Sequence, residues 1–132
     1  MIHEEICTYE VAKLAKKKGF NEYAACNHIY EDDEQWYTLT TYTNAKGIDW
    51  SKDKFTVAST QSLLQRWLRE EKNIHIEIVA TASGYFWIAD KINGTAITDS
   101  DILDRGINEG GCWDIYEQAL EDALKYSLEN LV

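Results

Sequence analysis

One stretch decides the fold. It runs Thr60-Gln61-Ser62-Leu63-Leu64-Gln65-Arg66-Trp67-Leu68-Arg69-Glu70-Glu71-Lys72-Asn73 and continues directly into Ile74-His75-Ile76-Glu77-Ile78. In the first part apolar residues recur with the 3.6-residue period of a helix, and in the second part they alternate with polar residues, as in a half-buried strand. The sequence therefore predicts a helix that buries Leu64, Trp67 and Leu68, stops near Asn73, and leads at once into a strand.

Two more helices are predicted on either side of this stretch. The first covers Tyr9 to Lys18, with Thr8 as its cap and Gly19 as its stop. The last covers Ile115 to Leu131, where Asp114 and Glu117 have the spacing of a capping box.

Aromatic and β-branched residues predict the strands. Two strands, at 24–30 and 36–43, form a hairpin around an acidic loop, and a long connection over 44–59 follows them. After the central helix, three strands at 74–78, 85–92 and 95–98 form a meander with turns at Ser83-Gly84 and Asn93-Gly94, before a loop from Asp99 to Trp113. The predicted order is α-β-β-α-β-β-β-α in a single two-layer α+β domain over residues 1–132. We expect one mainly antiparallel sheet with the helices packed on one face.

Charge and cysteine content narrow the functional classes. The chain of 132 residues carries 13 basic and 23 acidic residues, a formal net charge of -10. A field of this sign repels phosphate backbones and anionic membranes, so neither nucleic acid nor a membrane is an expected partner. No apolar run is long enough to span a bilayer, and the first residues do not resemble a signal peptide. Three widely spaced cysteines favour reduced thiols and a cytoplasmic location.

Metal and catalytic motifs are weak. Cys26 and His28 would point to the same side of a strand and are the best candidate zinc ligands, but no Cys-x-x-Cys or His-x-x-x-His pair accompanies them. No local signature marks a nucleophile and its base. We therefore expect no cofactor and no catalytic residue. The alternative is a small-molecule or metal-dependent enzyme that uses His28, His75, Cys26 or Cys112.

The second face of the predicted sheet is the more promising feature. If Ile76, Ile78, Phe86 and Ile88 pack under the helices, the period of two places other side chains on the opposite face. Exposed tryptophan and tyrosine side chains are frequent anchors of protein interfaces. The candidate binding residues are accordingly Tyr30, Trp36, His75, Tyr85 and Trp87, with Arg66 and Arg69 on the outer side of the central helix. The alternative is that the 44–59 connection simply covers this face.

The central helix, the Ile74-His75-Ile76 segment and Tyr116-Glu117-x-Ala119-Leu120-Glu121 together resemble a family of small bacterial and bacteriophage-associated proteins. The similarity spans most of the chain but is concentrated in two helices. It implies a cytoplasmic protein of prophage origin. Because the family has no assigned activity, it implies no catalytic residue.

The functional hypothesis is a non-enzymatic module that binds another protein or a second copy of itself. Besides the enzyme alternative, a third possibility is an acidic mimic of nucleic acid, which rests on net charge alone.

Overall fold

A computed structural model describes residues 2–26, 28–31, 35–38, 55–92, 104–106 and 112–132. The chain divides into two compact units, Met1–Thr60 (the first unit) and Gln61–Val132 (the second unit), and each is described by itself. The described residues form three α-helices and two small antiparallel sheets. The α+β class is thus confirmed, whereas a single domain over residues 1–132 stays a prediction.

Helix α1 (Tyr9–Lys17) begins as predicted and ends one residue earlier, with Lys18 as its C-cap. The Thr8 hydroxyl accepts a hydrogen bond from the backbone N–H of Val11 at 3.3 Å. At the other end Gly19 has a φ of +98°, a left-handed conformation that glycine adopts without steric cost. The N–H of Phe20 then bonds back to the carbonyl of Ala15 at 2.9 Å, which closes a Schellman motif and buries the Phe20 ring.

The sheet of the first unit has the strand order β2-β1-β3, where β1 is His28–Glu31, β2 is Trp36–Thr38 and β3 is Phe55–Val57. The hairpin β1–β2 was predicted, although β1 is shorter, because a 3₁₀ turn occupies Tyr23–Ala25. Residues 55–57, which the sequence placed in a connection over 44–59, form strand β3 instead. Three residues are too short a run to show a period, and pairing with β1 is what makes them a strand. Residues 39–54 lie outside the described ranges.

Helix α2 (Gln61–Lys72) and strand β4 (Ile74–Thr81) confirm the prediction for the central stretch. Leu64, Trp67 and Leu68 are buried, and Asn73 makes the stop with a φ of +57°. Gln61 is also buried, and its side-chain amide donates to the carbonyl of Glu117 and to the carboxylate of Glu121, both at 2.9 Å.

Strand β5 (Gly84–Lys91) returns antiparallel to β4 after a two-residue turn at Ala82-Ser83. In this register Ile76 lies opposite Ala89 and Ile78 lies opposite Trp87. Residues directly opposite each other point to the same face of an antiparallel sheet. Tyr85, Trp87 and Ala89 therefore share the face of Ile76 and Ile78, and the predicted assignment of these three residues to the opposite face is wrong.

Strand β6 (Asp104–Gly106) pairs with β5 and completes the second sheet in the order β4-β5-β6. The sequence predicted this segment as part of the loop from Asp99 to Trp113. The predicted strand at 95–98 and its Asn93-Gly94 turn lie outside the described residues. The strands that the structure describes fall into two sheets, so the expected single sheet is also corrected.

Helix α3 (Tyr116–Asn130) starts one residue later than predicted. Trp113 is held extended by an antiparallel bridge to Tyr85, and Ile115 is still extended, with φ -121° and ψ 133°. Ile115 is therefore the N-cap and provides no side-chain hydrogen bond, so Asp114 and Glu117 do not form the predicted capping box. None of the helices in the described ranges is both long and apolar enough to cross a membrane.

Candidate interaction surface

Trp87, a predicted binding residue, is a structural residue instead. It is 3% exposed, and its indole N–H donates to Asp122 Oδ2 at 2.8 Å. Its ring lies 5.0 Å from that of Tyr126. Both partners are on α3, so Trp87 fastens strand β5 to that helix and is closed to a partner protein.

Tyr30 is likewise buried. Its hydroxyl donates to the carbonyl of Cys7 at 2.6 Å, and its ring contacts that of Tyr9 edge-on at 5.1 Å. A buried phenol needs a hydrogen-bond partner, and the Cys7 carbonyl provides one. Tyr30 therefore stabilises the core of the first unit rather than its surface.

The other predicted binding residues are at least partly accessible. In the first unit Trp36 is 44% exposed on β2, with its ring 4.7 Å from that of His28. In the second unit His75 is exposed on β4, and Arg66 and Arg69 are exposed on α2. The guanidinium of Arg66 is already paired with Glu70 at 3.0 Å.

Cys26 is unsuited to the metal or nucleophile role that the sequence allowed. Burial raises the pKa of its thiol from 9.0 to about 11; the negative charge of Glu22 adds to this, and a hydrogen bond with Ser59 opposes it. The thiol donates to the carbonyl of Glu22 at 3.4 Å. The thiolate is the form that attacks, so a thiol that stays protonated at pH 7 is a poor nucleophile.

His28, the proposed second ligand, has its pKa lowered by burial, so it stays neutral at pH 7. Its ring packs against Trp36, as noted above. Across the described ranges, no group of three or more histidine, cysteine, aspartate or glutamate residues is arranged to hold a metal ion.

The clearest binding feature is the outer backbone edge of β4. Tyr85 exchanges both of its backbone hydrogen bonds with Trp113, at 2.8 and 2.7 Å, so its N–H and C=O point away from β4. Ala80 lies directly opposite Tyr85, and such a non-hydrogen-bonded pair turns both residues outward. By alternation, the backbone groups of Ile76 and Ile78 also point to the outer side of β4.

Within the described ranges, side chains cover only the first part of this edge. The carbonyl of Ile76 accepts a hydrogen bond from the side-chain amide of Gln65 on α2 at 3.1 Å. For Ile78 and Ala80, no outward hydrogen bond is formed by any residue in the part of the chain that the structure describes. Ile78 and Val79 are half-buried, and Ala80 and Thr81 are exposed. We call residues 78–81 the open edge.

An apolar cluster lies at the same end of the β4–β5 hairpin. Tyr85, opposite Ala80, packs edge-on against Tyr116 at 5.8 Å. Tyr116 is 41% exposed and its neighbour Ile115 is 50% exposed. Thr81 contacts the sulfur of Cys112 at 3.6 Å. Large exposed apolar side chains grouped at one end of a sheet are more typical of interfaces than scattered ones.

Gly84 brings the Trp113 segment close to the hairpin. A Cβ atom at this position would lie 2.4 Å from the carbonyl oxygen of Trp113, and its φ is +128°. Only glycine fits, so the bridge between Tyr85 and Trp113, and with it the outward direction of the Ala80 backbone, depends on this residue.

Of this surface, sequence reasoning named Tyr85 as a binding residue and missed the rest. Edges of sheets carry no signature of their own, because the same alternation of residues occurs in central and edge strands. The exposure of Tyr116 was missed because its position fits the apolar stripe of α3.

The sequence matches no protein-family model, and comparisons with curated proteins and with solved structures found no similar protein. The resemblance to bacterial and bacteriophage-associated proteins therefore stays a prediction.

Proposed function

We propose that the protein is a non-enzymatic interaction module that binds an extended segment of a protein chain along the open edge of β4. In β-strand addition, an incoming segment bonds to the free N–H and C=O groups of an edge strand, and pockets for alternate side chains give specificity. The proposal keeps the hypothesis of a protein-interaction or self-association module but moves the binding surface from the aromatic face to the edge.

The observation that carries the proposal is the pair of outward backbone groups on Ile78 and Ala80. Proteins usually protect such edges with proline, charge, a bulge or a covering element, because unprotected edges pair with other chains. Here the side-chain amide of Gln65 bonds to the carbonyl of Ile76, and no described residue bonds to the outward groups of Ile78 and Ala80.

Other properties agree with this role. All three cysteines, each within the described residues, are present as thiols, which supports a cytoplasmic location. The buried, protonated Cys26 gives no support to thiol catalysis.

The test is a selection of extended peptides from a displayed library against the full-length protein, followed by measurement of amide exchange. Enriched peptides should protect the amide protons of Ile78 and Ala80, since these are the donors that the added strand would use. A library that yields no binder, or binders that leave both amides unprotected, would refute the proposal.

Two variants at one position provide the control. Ala80→Pro removes the outward N–H and should abolish peptide binding, while Ala80→Val keeps the N–H and should preserve binding. Equal binding by the two variants would show that the peptides use another surface. Light scattering over a range of concentrations separates a second copy from a different protein as the occupant.

A further inference from the structure

We propose that Gln65 sets the register of the segment that the open edge receives and limits the pairing of that segment to residues 78–81 of β4. This inference rests on the proposed function and specifies how much of a partner strand binds. The partner is then a short extended stretch of a protein chain that bonds to Ile78 and Ala80, and not a long strand that pairs with the whole of β4.

Gln65 occupies the place that the backbone of an added strand would take at Ile76. Its side-chain amide donates to the carbonyl oxygen of Ile76 at 3.1 Å. Ile76 follows the same alternation as Ile78 and Ala80, so this carbonyl points to the outer side of β4. In an added strand the donor to this oxygen would be a backbone N–H, with the nitrogen about 2.9 Å away. A partner therefore bonds at Ile76 only if the Gln65 amide leaves.

Helix α2 holds this amide in position. Leu64, which precedes Gln65, and Leu68, about one turn after it, are both fully buried. Asn73 alone separates α2 from β4, so the chain reverses within one residue. Counted from Asn73, Gln65 lies about 12 Å along the helix and Ile76 about 10 Å along the strand. The two residues are thus side by side as a direct result of the short connection.

Beyond Ile76 the open edge offers few positions for pairing. The outward backbone groups are the N–H and C=O of Ile78 and the N–H and C=O of Ala80. Strand β4 ends at Thr81, and the turn at Ala82-Ser83 follows. Because Gln65 closes one end and the turn closes the other, residues added to a partner beyond this stretch gain no further backbone bonds.

The side chains along the open edge restrict the segment at the end nearer Gln65. Ile78 and Val79 are half-buried, whereas Ala80 and Thr81 are exposed. The partner residue opposite Ile78 meets an apolar side chain at cross-strand distance, so an apolar side chain is favoured there. Proline is excluded from the two positions that donate to β4, since it has no N–H.

The experiment uses the full-length protein and two capped peptides of about five and about nine residues, in which valine alternates with N-methylthreonine. The methyl groups leave each peptide one bonding edge, so that the peptides do not stack on themselves. Affinity is measured by titration, and cross-strand proton contacts in NMR spectra locate the peptide. Both peptides should contact Ile78 and Ala80 but not Ile76. Their affinities should agree within about twofold, because the longer peptide finds no further backbone partner.

A variant without the Gln65 amide tests its role. In Gln65→Ala the longer peptide should also contact Ile76 and bind about fivefold tighter than the shorter one, or more, because additional backbone hydrogen bonds form. Gln118→Ala is the matched control, since it truncates an exposed glutamine on α3 that has no side-chain partner among the described residues, and it should keep the parent ratio. A purely structural role for Gln65 would lower the melting temperature and leave the ratio of affinities unchanged.

Each contrary outcome has its own meaning. Contacts between the longer peptide and Ile76 in the parent protein would show that a partner displaces Gln65, which overturns this inference and leaves strand addition intact. The same ratio of affinities in Gln65→Ala and in the parent protein would also overturn it. Peptides that contact neither Ile78 nor Ala80 in any variant would overturn strand addition itself.

Discussion

The two backbone edges of strand β4 differ in their hydrogen bonding. On its inner side β4 is paired with β5 along its whole length, and the ring of Trp87 fastens that hairpin to α3. On its outer side one carbonyl is capped by Gln65, and the backbone groups of Ile78 and Ala80 point outward. The comparison teaches that the two edges of one strand can differ: among the described residues, one edge is fully paired and the other carries a single side-chain cap.

The largest expected effect tests the inner side. Trp87→Ala should lower the free energy of unfolding by about 3 to 5 kcal/mol, because it removes a buried ring and leaves Asp122 without its indole partner. Urea denaturation measures the change. Tyr116→Ala, which removes an exposed ring, should lower the free energy of unfolding by less than about 1 kcal/mol. Comparable losses for both variants would remove the distinction between a structural and a surface aromatic residue.

Proline at adjacent positions tests the two edges directly. Val79→Pro removes an N–H that faces β5 and leaves the opposite carbonyl of Phe86 unsatisfied, so unfolding free energy should fall by about 2 to 4 kcal/mol. Ala80→Pro removes an outward N–H and should cost less than about 1 kcal/mol. Thermal denaturation of the two variants measures their difference in stability. If Ala80→Pro is the more damaging of the two, the assignment of inner and outer residues is reversed.

Asp90 is a buried carboxylate on β5, and replacing it tests whether its charge destabilises the paired side of β4. It is 2% exposed, and among the described residues neither of its carboxylate oxygens has a hydrogen-bond partner, although His75 lies directly opposite on β4. Asp90→Asn keeps the shape and removes the unpaired charge, so unfolding free energy should rise by about 1 to 3 kcal/mol. A lower melting temperature in the variant would mean that the carboxylate has a stabilising partner.

The smallest change expected at neutral pH concerns thiol reactivity. Cys112 borders the hairpin end and is half-buried, while Cys26 is buried with a pKa of about 11. A thiol reagent at neutral pH should modify Cys112 well before Cys26, as mass spectrometry would show. Rapid modification of Cys26 would revive the thiol-enzyme hypothesis.

The raised pKa of Cys26 also makes the stability of the folded state depend on pH. The folded state keeps the Cys26 thiol protonated up to a higher pH than the unfolded state does. Its stabilising contribution is present below about pH 9 and is lost as the pH rises toward about 11. In Cys26→Ala, unfolding free energy should therefore decline less over that range than in the parent protein.

The sequence predicts those parts of the fold that local patterns specify. Helices α1 and α2, the cap at Thr8 and the stops at Gly19 and Asn73 follow from side-chain chemistry within a few residues. Strands β3 and β6 were not predicted, because each has three residues and is defined by its partner strand rather than by its own pattern.

The side of β5 was misassigned for a different reason. Both faces of this strand are apolar, with Tyr85, Trp87 and Ala89 on one and Phe86 and Ile88 on the other, so hydrophobicity does not distinguish them. The turn does. A loop of two residues pairs even-numbered residues of β4 with odd-numbered residues of β5, which puts Trp87 beside Ile78. The open edge depends on which strand lies outermost, and no local pattern encodes that.

The net charge of the chain also bears on how the protein behaves at high concentration. An edge strand is a template for stacking strand upon strand, and a net charge of -10 opposes this between like molecules. The repulsion depends on ionisation and weakens as the solution approaches the isoelectric point near 4.6. Self-association along the open edge should therefore increase as the pH falls toward that point.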